Sequence, residues 1–301
     1  MIGPKVIGPT LGLFVLTLWP VLSCADDAAV ERGRYLFAAG SCYTCHTDTK
    51  NKGEPLAGGT AIKTPFGTFY GPNITPDPTY GIGRWSDADF VRALREGIGP
   101  GGRHLFPAFP YTSFTKITDR DLLDLKAYIF AQKPVAKPSR PNTLSFPFSW
   151  RFLQTFWRWL YFTEGPFSPD PSKSAEWNRG AYLTQALGHC GECHTPRTLL
   201  GGLETDRAMA GTYNEAEAVV VPNITPDPET GIGKWSEDDI VTALKIRMRP
   251  NGNFLGSLMR DVVSEGTSKL TDADLKAIAV YLRSLPPIRN KPARPAGAAS
   301  K

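Results

Sequence analysis

A chain of 301 residues has room for two domains of ordinary size, each with its own core. Apolar content of 41% with charged content of 21% excludes a disordered chain, and 27 prolines with 29 glycines point to extensive loop. A formal charge of +5, one unit of it from Lys5, gives no warrant for nucleic-acid binding but suits docking to acidic partners.

The first predicted element is a leader. MIGPK precedes an apolar run over residues 6–22 and then small residues, the pattern of a signal peptide over 1–25. Pro9 and Pro20 make the run a poor permanent span, with an uncleaved anchor as the alternative. Ser23-Cys24-Ala25 fits cleavage before Asp26. Val21 to Cys24 is an imperfect lipoprotein box, with Leu22 where a small residue is commoner, and would leave an acylated Cys24. The mature protein is expected in the periplasm.

Helical composition over residues 28–39 leads into CYTCH, from Cys42 to His46, and a second such string, CGECH, runs from Cys190 to His194. In C-x-x-C-H two thiols add across the vinyl groups of a haem while the adjacent histidine reaches the iron from one side. C-x-x-C alone also serves redox pairs and zinc sites. Here only His104, His189 and Cys24 are left over, so a zinc tetrahedron is short of ligands. The strings predict two covalently bound haem c groups, one on Cys42, Cys45 and His46, the other on Cys190, Cys193 and His194.

The chain is one unit written twice. NITPDPTYGIGRWS over residues 73–86 returns as NITPDPETGIGKWS over 223–236, and Arg32-Gly33 returns as Arg179-Gly180. Ser86 with Asp89, and Ser236 with Asp239, open helices whose apolar residues Phe90, Val91, Leu94 and Ile240, Val241, Leu244 fall at helical spacing. Thr118 with Asp121, and Thr271 with Asp274, open last helices that end before Pro134 and Pro286. Little alternates with period two, so the fold class is all-α: domains over 26–136 and 173–289, a Pro- and aromatic-rich linker over 137–172, and a tail over 290–301. Within the linker, residues 149–162 read SWRFLQTFWRWLYF. That aromatic cluster packs the two domains together, lies on a membrane surface, or docks a partner; it is too short to span a bilayer.

The NITPD loop and the LTDADL ending resemble those of di-haem bacterial cytochromes c, in particular the cytochrome c subunits of alcohol and gluconate dehydrogenases. The resemblance runs from about residue 28 to 288 and implies two tandem class I cytochrome c domains. It also implies that Asn73, Thr75, Trp85 and Asn223, Thr225, Trp235 pack against haem; a second reading has them fix a Pro-rich loop and a helix start. Arg84, Arg103 and Lys234 are candidates for haem propionates.

In the same relatives a methionine ahead of the last helix supplies the second axial ligand, which implies Met259 opposite His194, with Met248 in reserve and Met209 too early in its loop. The first repeat has no methionine, and Phe109 and Ile117 stand where relatives commonly carry one. Its distal side is met by His104, by no side chain, or by a methionine of the other repeat. The resemblance implies one-electron transfer from a dehydrogenase to a downstream cytochrome or oxidase. The alternative is a haem enzyme, a peroxidase or an oxidant of a small inorganic donor, at an open first haem. No Ser/His/Asp, paired-carboxylate or phosphate-loop set competes for a catalytic role.

Overall fold

The computed structural model describes residues 1, 3 and 23–295. The leader therefore lies almost wholly outside the described residues, as do the side chain of Cys24 and the end of the tail.

In the first repeat α1 (Ser23–Ala39) runs into the one-turn α2 (Cys42–His46), and a hairpin of β1 (Ala61–Thr64) and β2 (Gly67–Tyr70) follows. Next come α3 (Asp87–Glu96), the short pair β3 (Ile98–Gly99) and β4 (Arg103–His104), α4 (Tyr111–Phe114) and α5 (Asp119–Phe130). The connector carries β5 (Thr143–Leu144), which adds to the edge of β2, and α6 (Leu153–Tyr161). The order then returns as α7 (Ala175–Tyr182), α8 (Gly191–His194), a hairpin of β6 (Thr212–Asn214) and β7 (Val219–Val221), α9 (Glu237–Ile246), α10 (Ser257–Glu265) and α11 (Asp272–Arg283). The fold is helix-rich with some sheet, a correction to a purely helical reading. Strands of two to four residues are too short to write a period-two pattern into sequence.

The starts of α3 and α9 are complete capping boxes. The Ser86 and Ser236 hydroxyls accept from the Asp89 and Asp239 amides, whose side chains accept in return from the serine amides. At α5 and α11 only half of the box forms. The Thr118 and Thr271 hydroxyls accept from the Asp121 and Asp274 amides, but both carboxylates are taken by distant groups.

Each repeat is closed by its first helix crossing its last, α1 on α5 and α7 on α11. The crossings need glycine. A β-carbon at Gly33 would stand 1.9 Å from the Asp124 carbonyl oxygen, and one at Gly180 1.9 Å from that of Ala277. Arg32 beside the first glycine forks onto Asp124 at 2.6 and 2.9 Å, and Arg179 beside the second forks onto Asp274 at 2.9 and 2.7 Å.

The repeats also bond to each other reciprocally. Tyr35 of α1 donates to Asp274 of α11 at 2.6 Å, and Tyr182 of α7 donates to Asp121 of α5 at 2.5 Å. Each tyrosine oxygen also accepts the amide of the capping threonine, Thr271 or Thr118, at 3.2 Å. The apolar core runs without a break through both repeats, from Leu36 and Phe37 to Leu183 and Leu187.

Candidate functional site

In each motif one helical turn presents two thiols three residues apart, with the histidine directly after. The four thiols are free of disulfides. Burial pushes Cys42 and Cys190 up to about 12, so both are held as neutral thiols. The His46 ring places Nδ1 2.8 Å from the Pro72 carbonyl oxygen, and the His194 ring places Nδ1 2.8 Å from that of Pro222. A carbonyl only accepts, so Nδ1 carries the proton and Nε2 keeps its lone pair. Burial lowers both imidazole pKa values, which favours the neutral form. Motif reasoning passes over the two prolines that orient the histidines, although the signal is at hand: each immediately precedes the repeated Asn-Ile-Thr.

That tripeptide is the anchor of the loop. Asn73 donates to the Val135 and Lys137 carbonyls at 2.8 and 2.9 Å and accepts from the amide and hydroxyl of Thr75 at 2.9 and 2.7 Å. Asn223 donates to Ile288 at 2.7 Å and accepts from Thr225 at 2.9 and 2.8 Å. All four residues are buried, and their polar atoms are occupied by the strap that follows each last helix. The strap therefore fixes the loop whose first carbonyl steers the histidine. Trp85 and Trp235 are half-buried against the core. Arg84, Arg103 and Lys234 are exposed.

Each motif is flanked by a helix of the other repeat. α4 of the first repeat packs beside the second motif, where Thr112 and Ser113 donate to Glu192 at 2.7 and 2.9 Å. Arg197 donates to the same carboxylate at 2.6 Å. Burial alone would raise the Glu192 pKa, but Arg197 and the two hydroxyls hold it below the usual carboxylate range. Conversely α10 of the second repeat packs beside α2, the first motif. Burial pushes the Cys193 thiol up, and Cys45 of the other motif is among the neighbours it feels.

The distal candidates are unlike in the two repeats. Met259 is half-buried on α10. Met248 is more exposed and forms a bridge to Phe254. Met209 is buried with its side chain against Gly191 of the second motif, so it packs beneath that turn. In the first repeat Ile117 is sealed in the core and Phe109 is half-buried, edge-on to Phe114. The His104 ring is turned toward the linker helix, with Nε2 3.3 Å from the Thr155 hydroxyl, and its carbonyl accepts from Arg151 at 2.7 Å.

Comparison with known proteins gives the same family from several directions. Residues 30–132 match the cytochrome c family. A protein called diheme cytochrome c-type, from Cereibacter sphaeroides, is 40% identical over 277 residues, 89% of this chain and 90% of that one. The chain belongs to the cytochrome c family. This cytochrome is also 44% identical, over 88% of its length, to the cytochrome c subunit of alcohol dehydrogenase (quinone) from Gluconacetobacter polyoxogenes, and it covers 57% of that subunit. It is 42% identical, over 93% of its length, to a subunit of nicotinate dehydrogenase from Pseudomonas putida, and covers 24% of that protein. The chain thus spans about half the length, or less, of several of the relatives it matches.

The donor set fits the haem c that the family implies. Paired thiols and a neutral imidazole with its free nitrogen unblocked are what a thioether-bound, histidine-ligated porphyrin requires, and each repeat brings them together on one turn.

Proposed function

We propose that the chain is a periplasmic di-haem cytochrome built of two tandem class I cytochrome c domains, over 26–136 and 173–289. It takes single electrons from a dehydrogenase and passes them to a downstream cytochrome or oxidase. The observation that carries this reading is the presence of two C-x-x-C-H turns, each with its histidine oriented by a proline carbonyl and each flanked by a helix of the other repeat. Bound haem supplies the one-electron chemistry at iron.

The chain's own residues do the rest. Cys42, Cys45, Cys190 and Cys193 tether, and His46 and His194 are held in one tautomer by Pro72 and Pro222. Glu192 with Thr112, Ser113 and Arg197 pins the first repeat to the second motif, keeping the two centres in one fixed relation. Met259, half-buried on α10, would be a further residue to hold the second haem. The names of the relatives support a dehydrogenase as the electron donor.

The test is the mass of intact protein made in a maturation-competent host, followed by a redox titration. Two added haems and two one-electron waves are expected. Bare polypeptide, or a single wave of one electron per chain, sinks the reading. Reduction on mixing with a quinone-dependent alcohol dehydrogenase tests the donor class.

A further inference from the structure

Helix α6 carries large apolar residues on its outward side as well as its inward one. Its inner face mixes half-buried Leu153, Trp157 and Tyr161 with polar contacts: Gln154 is buried, Trp157 donates to the Leu200 carbonyl at 2.9 Å, and Arg158 stacks at 4.6 Å on Phe162. Its outer face is Phe152, Phe156, Trp159 and Leu160, spaced as one side of a helix and 57%, 61%, 83% and 54% exposed. Trp150, in ring contact with Phe152 at 5.6 Å, extends the same surface and is also exposed. A helix that faces water keeps its outer side polar, so four large apolar side chains exposed on that side mark a surface that something else covers.

Charge and length choose the occupant. From residue 125 to 163 the chain contains no aspartate or glutamate and six lysines and arginines. Arg103 stands near enough to Arg151 to lower its pKa after burial has done so, which places two cations together at the start of α6. Glu164 is the first carboxylate past the end of α6, and Glu192 of the second motif is already committed to Arg197, Thr112 and Ser113. At nine residues α6 is about 14 Å long, less than half of the ~30 Å apolar core of a bilayer. No described helix is long and apolar enough to cross a membrane.

We propose that α6 and the adjoining aromatic segment lie in the headgroup layer of an anionic phospholipid membrane. Tryptophan, phenylalanine and leucine enter the acyl boundary while the exposed guanidinium of Arg103 meets lipid phosphate, the mode of an interfacial helix. The proposal is independent of the electron donor.

The test is flotation of the holoprotein with vesicles of phosphatidylglycerol and phosphatidylethanolamine, together with hydrogen exchange over residues 150–161. Both are done in a Cys24→Ala background so that a lipid on that cysteine does not carry the result. Wild type should float, with α6 protected, and binding should weaken on pure phosphatidylcholine or at high salt. Phe156→Gln/Trp159→Gln should bind at least tenfold less with its haem spectrum unchanged. Flotation unaltered by the double variant overturns the proposal. So does protection of α6 that appears only on mixing with a dehydrogenase subunit or on self-association at high protein concentration, either of which makes this a protein-docking face.

Discussion

On the histidine side the two repeats agree down to single hydrogen bonds: a proline carbonyl on Nδ1, an asparagine–threonine pair behind it, and a strap beyond the last helix. On the opposite side they part. The second repeat offers Met259 on a helix; the first offers Phe109 in an aromatic contact and a histidine turned toward α6. The difference teaches that the attachment is common to both repeats while the candidate distal residues are not, and axial ligation in general tunes haem over a range of about 0.8 V.

The largest expected effects come from exchanging that variable part. Phe109→Met should raise the lower of two reduction potentials, and Met259→Ala should lower the higher, each by on the order of 0.1 V. Spectroelectrochemical titration reads both, and potentials indifferent to either change would erase the proposed distinction between the repeats. His104→Ala sharpens it from the other side. With its ring on Thr155, the variant should leave the low-spin electron paramagnetic resonance signals unchanged; loss of one signal would make His104 a ligand instead.

The shared framework should respond alike in both halves. Gly33→Ala and Gly180→Ala each force a β-carbon into a carbonyl oxygen, and each should lower stability by about 2–3 kcal/mol in chemical denaturation. A harmless alanine at one of the two would break the equivalence of the crossings.

The smallest effect is one of pH. Burial works to raise the Asp274 pKa, but Arg179 and Tyr35 hold the folded value below the ordinary one. Its contribution is therefore complete above the usual carboxylate range and disappears as pH falls through the lowered value. Asp274→Asn should cost stability at neutral pH, and the gap in melting temperature from wild type should close on acidification. A gap of constant size would mean that the charge contributes nothing.

Much of this was legible in the sequence. The C-x-x-C-H turns, the duplicated loop and the serine-capped starts of α3 and α9 depend on residues within a few positions of each other, and local chemistry decides them. What escaped depends on distance. Asp121 and Asp274 have the spacing of capping boxes, but tyrosines from the other repeat claim their carboxylates. Gly33 and Gly180 look like ordinary helix residues until a second helix arrives. The linker aromatics divide their work: Trp157 and Tyr161 pack inward near Leu200 and Gly202, while Phe156 and Trp159 face out. No periodicity rule says which side of an amphipathic stretch faces a core that forms elsewhere in the chain.

The paired tyrosine contacts carry one more consequence. Tyr35 reaches Asp274 while its counterpart Tyr182 reaches Asp121, the counterpart of Asp274. This is the self-complementary pattern of an isologous twofold dimer, written here within a single polypeptide. A separated half would carry donor and acceptor of the contact on its own surface, and the arrangement that unites unlike halves is the one by which two identical halves would pair.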